Sequence, residues 1–255
     1  MDKLIHYCWF GGEVPLAVQA SVRSWRMFEP TAKIVCWNES NAECDDSPYY
    51  RAAIASRQYA FAADYVRLKK LYDFGGVYLD ADMELRAPLF DVLQGSPVTL
   101  GFEKNCVHAG VISCVPRHPF VRRLLDGYSL EVDVGACGCE PKTIVMRMTD
   151  LLVDRYGLRS PFGEQTLKDG IRILPANRLL IDLHDGQNLA VHHYAASWKP
   201  AFQADAFVRD VMRYCDWKHS PLSFRVKERA KMLLQYHLPS VYRRLRDRRH
   251  SCCSL

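Results

Sequence analysis

The residues best equipped for chemistry are two carboxylates one position apart, Asp80 and Asp82, in the stretch FGGVYLDADMEL, 74–85. In an extended segment, residues i and i+2 project to the same side, so both acids would face one space with Ala81 turned away. Carboxylates held that close repel, and one takes up a proton unless a cation neutralises the pair. A hard divalent ion with oxygen ligands does this, and Mg²⁺ or Mn²⁺ keeps further positions for water or phosphate oxygens. In open α/β sheets ligands collect at the carboxyl ends of strands, where this pair is expected. A polar turn with two solvated acids is the plainer alternative, and the D-x-D spacing alone does not separate the two.

A second pair lies just upstream. The pattern predicts a helix from about residue 56 to residue 73, stopped by Gly75 and Gly76. At about 100° per residue, Phe61, Tyr65, Leu68 and Tyr72 form one apolar face, with Asp64 at its edge and Arg67 three positions on. Asp64 and Arg67 are either an internal ion pair or a polar pair aimed at the space above the aspartates.

These residues need a scaffold, and the hydrophobic pattern supplies one. Strands are expected at 3–10, 33–37, 97–103 and 110–115, and short ones late in IRILP, RLLI and LAVHHYA. Helices are expected at 16–28, from residue 118 onward, and at 143–157. His118, before Pro119, reads as a helix-start residue. The polar run after Trp37 is expected to be loop. Strands alternating with helices at this spacing argue an α/β fold with a largely parallel sheet.

The chain has 255 residues, of which 49% are hydrophobic and 25% charged, enough for a sizeable core. No stretch approaches a membrane span, and the N-terminus lacks the features of a signal peptide, so the ten cysteines are expected to be reduced thiols in cytosol. Cys137 and Cys139 have no second close pair to complete a zinc site. The net charge of +5 is uneven: residues 218–255 carry +8 and the preceding body −3. The expected division is therefore a domain at 1–217 and a basic, helical tail at 218–255. A nucleic-acid-binding body is disfavoured. The tail suits an anionic membrane surface, with the protein in the cytoplasm or peripheral on the inner face of the membrane.

Three blocks in order, IHYCWFGG (5–12), YAFAADYVRLKKLYDFGGVYLDADMEL (59–85) and VHHYAASW (191–198), resemble glycosyltransferase family 32. That group of DXD sugar transferases is typified by the yeast initiating mannosyltransferase and by capsule or lipopolysaccharide enzymes. The donor-site segments also resemble the glucosylating domains of large clostridial toxins. The resemblance implies a GT-A fold with a Rossmann-like nucleotide-sugar-binding sheet and retention of anomeric configuration. It implies Asp82 as a direct metal ligand, and Asp80 on the donor ribose or sugar, reaching the metal through water. It implies Asp64 and Arg67 on donor hydroxyls and phosphate, and Trp9 stacked on the base with Tyr78 packed near base or sugar. A late histidine would complete the metal shell, which favours Mn²⁺ over Mg²⁺. His193 is the preferred ligand by resemblance, with His192 its rival, since alternation along a strand lets only one face the metal. Ser197 and Trp198 would bind the diphosphate. His108 stands where family members more often carry a small or amide residue.

The implied function is metal-dependent transfer of a hexose from a nucleotide sugar, a UDP-hexose favoured, to a glycan or lipid-linked glycan in surface polysaccharide synthesis. Two alternatives remain open. One is a non-catalytic sugar-nucleotide-binding or regulatory protein on the same fold. The other is a haloacid-dehalogenase phosphatase, whose D-x-D pattern belongs much nearer the N-terminus than Asp80.

Overall fold

The computed structural model describes residues 3–103, 106–129, 142–159, 164–181 and 186–194, with Ala230, Leu238 and Val241 beyond them. The elements in chain order are β1 (Leu4–Cys8), α1 (Leu16–Phe28), β2 (Lys33–Trp37), α2 (Pro48–Ala55), α3 (Tyr59–Phe74), β3 (Gly76–Leu79), β4 (Met83–Leu85), α4 (Phe90–Leu93), β5 (Val98–Glu103) and β6 (Cys106–Cys114). They continue with α5 (Pro119–Ser129), α6 (Ile144–Leu151), β7 (Gln165–Thr166), β8 (Ile171–Leu174), α7 (Ala176–Leu179) and β9 (Ala190–His192). A π-type turn, Leu152–Tyr156, extends α6 to a left-handed Gly157.

The main sheet has the order β2-β1-β3-β6-β5-β8-β7. Strands β2, β1, β3, β5 and β8 run one way, and β6 and β7 run against them. The expected α/β fold with a largely parallel sheet is therefore present. One buried cluster joins α2, α3, α5 and α6 to the sheet, and a second joins α1, α4 and α7 to it.

Local chemistry explains the joint that matters most. Helix α3 ends on Gly75, whose φ of 66° is strained for any other residue, and whose N–H donates to Leu71 O at 2.9 Å. A Cβ on Gly76 would lie 2.6 Å from Leu4 O, because β3 enters directly beside β1. The glycine pair thus reverses the chain from helix to central strand without a loop.

Beyond β3 the structure departs from the extended reading. β3 stops at Leu79, and residues 80–83 form a turn in which Met83 N–H donates to Asp80 O at 2.9 Å. β4 then leaves the main sheet and pairs antiparallel with β9 in a sheet of two strands. Helix α1 holds β4 in place: Trp25 Nε1 donates to Met83 O at 2.8 Å, and Ser24 Oγ accepts from Leu85 N–H at 3.0 Å. Trp25 is wholly buried, and withdrawing an indole from water is worth at most about 5 kcal/mol.

Three further readings change. Residues 48–55, passed over in the sequence, form α2, with Pro48 at its start and Ser47 as cap. The helix expected from about residue 56 begins at Tyr59. RLLI is not a strand; α7 occupies Ala176–Leu179.

Candidate functional site

The site forms where three elements converge at the carboxyl end of β3. β1 and β3 are parallel neighbours, so Trp9, following β1, and Asp80, following β3, emerge at the same edge of the sheet. Trp9 is half-buried, its indole N–H donating to Glu13 O at 3.0 Å, and Gly11 N–H donates to Glu39 Oε1 at 2.7 Å.

Asp80, Asp82 and His192 each offer one ligand atom, and these atoms lie within 4.8 Å of one another. The turn at 80–83 brings the two aspartates together, where the sequence argument had used a strand. The β4–β9 pairing sets Met83 opposite His192 and places His192 Nε2 3.1 Å from Asp82 Oδ1. The ring of Tyr194 packs on that of His192, with centroids 4.1 Å apart. Burial lowers the pKa of His192, but Asp82 and Asp80 outweigh it, and the net direction is upward. Two carboxylates and an imidazole are a donor set that suits Mn²⁺.

His193, the preferred ligand by resemblance, is not in this cluster, and His192, its rival, is. Alternation turns His193 to the other side, where Nε2 lies 2.9 Å from Glu84 Oε2, and Arg86 Nη2 forms an ion pair with the same oxygen at 3.2 Å. The His193 N–H donates to Asp82 O at 3.1 Å, so this residue fixes the turn from behind.

Arg67 joins the helix to the turn. Its Nη2 lies 3.0 Å from Asp64 Oδ1, and its Nη1 lies 3.1 Å from Asp80 Oδ1 and donates to Ala109 O at 2.9 Å. Burial disfavours the Arg67 charge, but Asp80 and Asp64 outweigh it and hold the guanidinium charged. Asp64 is deeper than an edge residue: only 7% exposed, with Oδ2 accepting from Ile144 N–H at 3.4 Å at the start of α6. Burial pushes its carboxyl up to about 6, against the opposing pull of Arg67.

Tyr78 lies beneath Arg67. It is 2% exposed, with the Arg67 guanidinium 4.5 Å from its ring centroid, so it is the floor beneath Arg67. Ser197, Trp198 and the tail at 218–255, apart from Ala230, Leu238 and Val241, lie outside the described residues. His108 is buried in β6 behind the site, and burial first, then His192, drives its pKa well below the ordinary histidine value.

Residues 15–99 match the family model described as a glycosyltransferase sugar-binding region containing a DXD motif. The match includes Asp64, Arg67, Asp80 and Asp82, and bears out the resemblance at the second of the three blocks, 59–85; the blocks at 5–12 and 191–198 lie outside it. Inositol phosphoceramide mannosyltransferase 3 of Schizosaccharomyces pombe is 25% identical over 129 residues, covering 49% of this chain and 36% of that protein. The chain thus spans about a third of the length of this curated relative. Similar solved structures include the PaToxG glycosyltransferase, with 18% identity, 59% of this chain and 68% of that one covered, and a TM-score of 0.47. The galactosyltransferase LgtC, solved with donor and acceptor sugar analogues, gives 13% identity, 88% and 99% coverage, and a TM-score of 0.44.

Proposed function

We propose that this protein is a metal-dependent glycosyltransferase that moves a hexose from a nucleotide sugar to a glycan or lipid-linked glycan. The observation that carries the reading is the convergence of Asp80, Asp82 and His192 at the carboxyl end of β3, with both aspartates inside a match to a DXD sugar-binding region. These three residues would hold the ion, and the ion would supply positive charge to the diphosphate leaving group.

The chain's own groups have separate tasks in this account. Arg67, held between Asp64 and Asp80, presents fixed positive charge beside the same space, in place before the glycosidic bond breaks. Asp80 offers its second oxygen to the donor or the ion. Trp9 supplies an aromatic face at the adjacent strand end for the base. His193 and Glu84 fix the back of the turn. The sequence resemblance favours a UDP-hexose and retention, and the mannosyltransferase relative puts a mannose donor on the same panel. Among the described residues no helix is long and apolar enough to cross a membrane. The basic segment 218–255 would hold the enzyme on anionic lipid beside a lipid-linked acceptor.

The test is a screen of UDP- and GDP-linked hexoses with Mn²⁺, reading nucleoside diphosphate release and sugar transfer. Metal-dependent release with one donor class is the expected result. Tight binding of a nucleotide sugar without release or transfer would favour the non-catalytic reading.

A further inference from the structure

β6 does not run straight past β5. Between the pairs Thr99–Ser113 and Gly101–His108, Leu100 stands opposite four residues of β6, 109–112, so β6 bulges there against β5 while Val111 and Ile112 stay paired to β3. Two carbonyls of this bulge reach the candidate site. Gly110 O accepts from Asp80 N–H at 2.9 Å, and Ala109 O accepts from the Arg67 nitrogen that also lies 3.1 Å from Asp80 Oδ1.

One side chain closes the bulge. Gly110 N–H donates to His108 Nδ1 at 3.1 Å, so the ring is neutral and carries its proton on Nε2. That Nε2 is buried and has no hydrogen-bond partner among the described residues. Leaving it so is unfavourable, and an apolar side chain would avoid the penalty but could not accept the Gly110 N–H. Two glycines make the room. A Cβ on Gly101 would lie 2.5 Å from His108 Nε2, and one on Gly110 would lie 3.2 Å from Asp80 Oδ2.

We infer that His108 is a positioning residue: its imidazole closes the β6 bulge so that the carbonyls of Ala109 and Gly110 hold Arg67 and Asp80 in place. The consequence for metal binding rests on the function proposed above; the positioning itself does not.

The experiment uses the full chain with two readouts, amide hydrogen exchange at Asp80 and Gly110, and Mn²⁺ affinity. His108→Asn keeps an acceptor near the Nδ1 position, and His108→Leu removes it. His108→Leu should speed exchange at both amides and weaken Mn²⁺ by about 10- to 100-fold, the scale for outer-shell partners of a metal site, whereas His108→Asn should stay close to wild type. Gly101→Ala should reproduce the leucine defect in the wild-type background and be much milder beside His108→Ala, because the ring makes the two closest contacts and only Leu179 Cδ1, at 3.2 Å, stays close without it. That double-mutant comparison decides the matter even where His108→Leu fails to fold. Wild-type exchange in His108→Leu, an asparagine variant as damaged as the leucine one, or a Gly101→Ala defect undiminished beside His108→Ala would overturn the inference. If the wild-type protein binds no Mn²⁺ and cleaves no nucleotide sugar, the proposed function falls while the exchange data still decide the role of His108.

Discussion

Asp64 and Arg67 sit on the buried flank of a helix of 16 residues, whereas Asp80 and Asp82 sit on a turn between two sheets, with His192 on the strand that pairs beyond it. The helix half has its charges matched: one carboxylate against one guanidinium, with the carbonyls of Ala63 and Ala109 on further donors and Asp80 sharing Nη1. The turn half does not. Its ligand atoms lie within 4.8 Å of one another, where two carboxylates repel by at least about 3 kcal/mol at an effective dielectric near 20. Arg67 offsets only part of this, through Asp80. The helix half therefore behaves as a fixed support, and the turn half carries the negative charge that a divalent cation would complete.

That contrast can be broken from either side. The largest effect is expected in the turn: Asp82→Ala should lower nucleoside diphosphate release by about 1000-fold, at the upper end for loss of one group aimed at developing charge, with circular dichroism unchanged. Arg67→Met should act on the fold instead. It leaves Asp64 and Asp80 without their shared cation, which for a buried pair costs about 3–5 kcal/mol and here should lower the melting temperature by about 10 °C or more. If Arg67→Met melts like wild type, the helix half is not the support described.

A smaller difference separates the histidines. His192→Ala should weaken Mn²⁺ at least about 10-fold in a direct titration, and more than His193→Ala, whose partner is Glu84. The reverse ranking would return the ligand to His193. The smallest effect concerns Asp64, whose carboxyl is raised to about 6 by burial. A raised pKa means that the native state binds this proton more tightly than the unfolded chain, so the stabilisation is full below about pH 4 and is lost as pH rises through 6. The stability of wild type relative to Asp64→Asn, measured by urea unfolding, should fall between pH 4 and pH 7. A flat difference would mean that Asp64 is not buried as described.

What the sequence disclosed about this site follows the same division. The helix half was legible because apolar periodicity and a paired glycine stop are local signals, and they bracket Asp64 and Arg67 with an error of three residues at the start of α3. The turn half was legible in composition but not in geometry. Asp80 and Asp82 do converge, through a turn that no i, i+2 argument contains. The choice between His192 and His193 depends on the register of β9 on β4, set by contacts more than a hundred residues apart in the chain. The burial of Tyr78, beneath the Arg67 guanidinium of α3, is likewise a tertiary contact that its neighbours in the chain do not show. The roles of Gly101 and Gly110 lie in a bulge between β5 and β6, and nothing in their neighbours announces it.

The account rests most heavily on a cation held by Asp80, Asp82 and His192. Anomalous diffraction from a crystal grown with Mn²⁺ and the nucleoside diphosphate released in the donor screen addresses it directly. A single manganese peak ligated by these three side chains and by the diphosphate is the predicted result. An ordered diphosphate at the end of β3 with no manganese peak between them would contradict it.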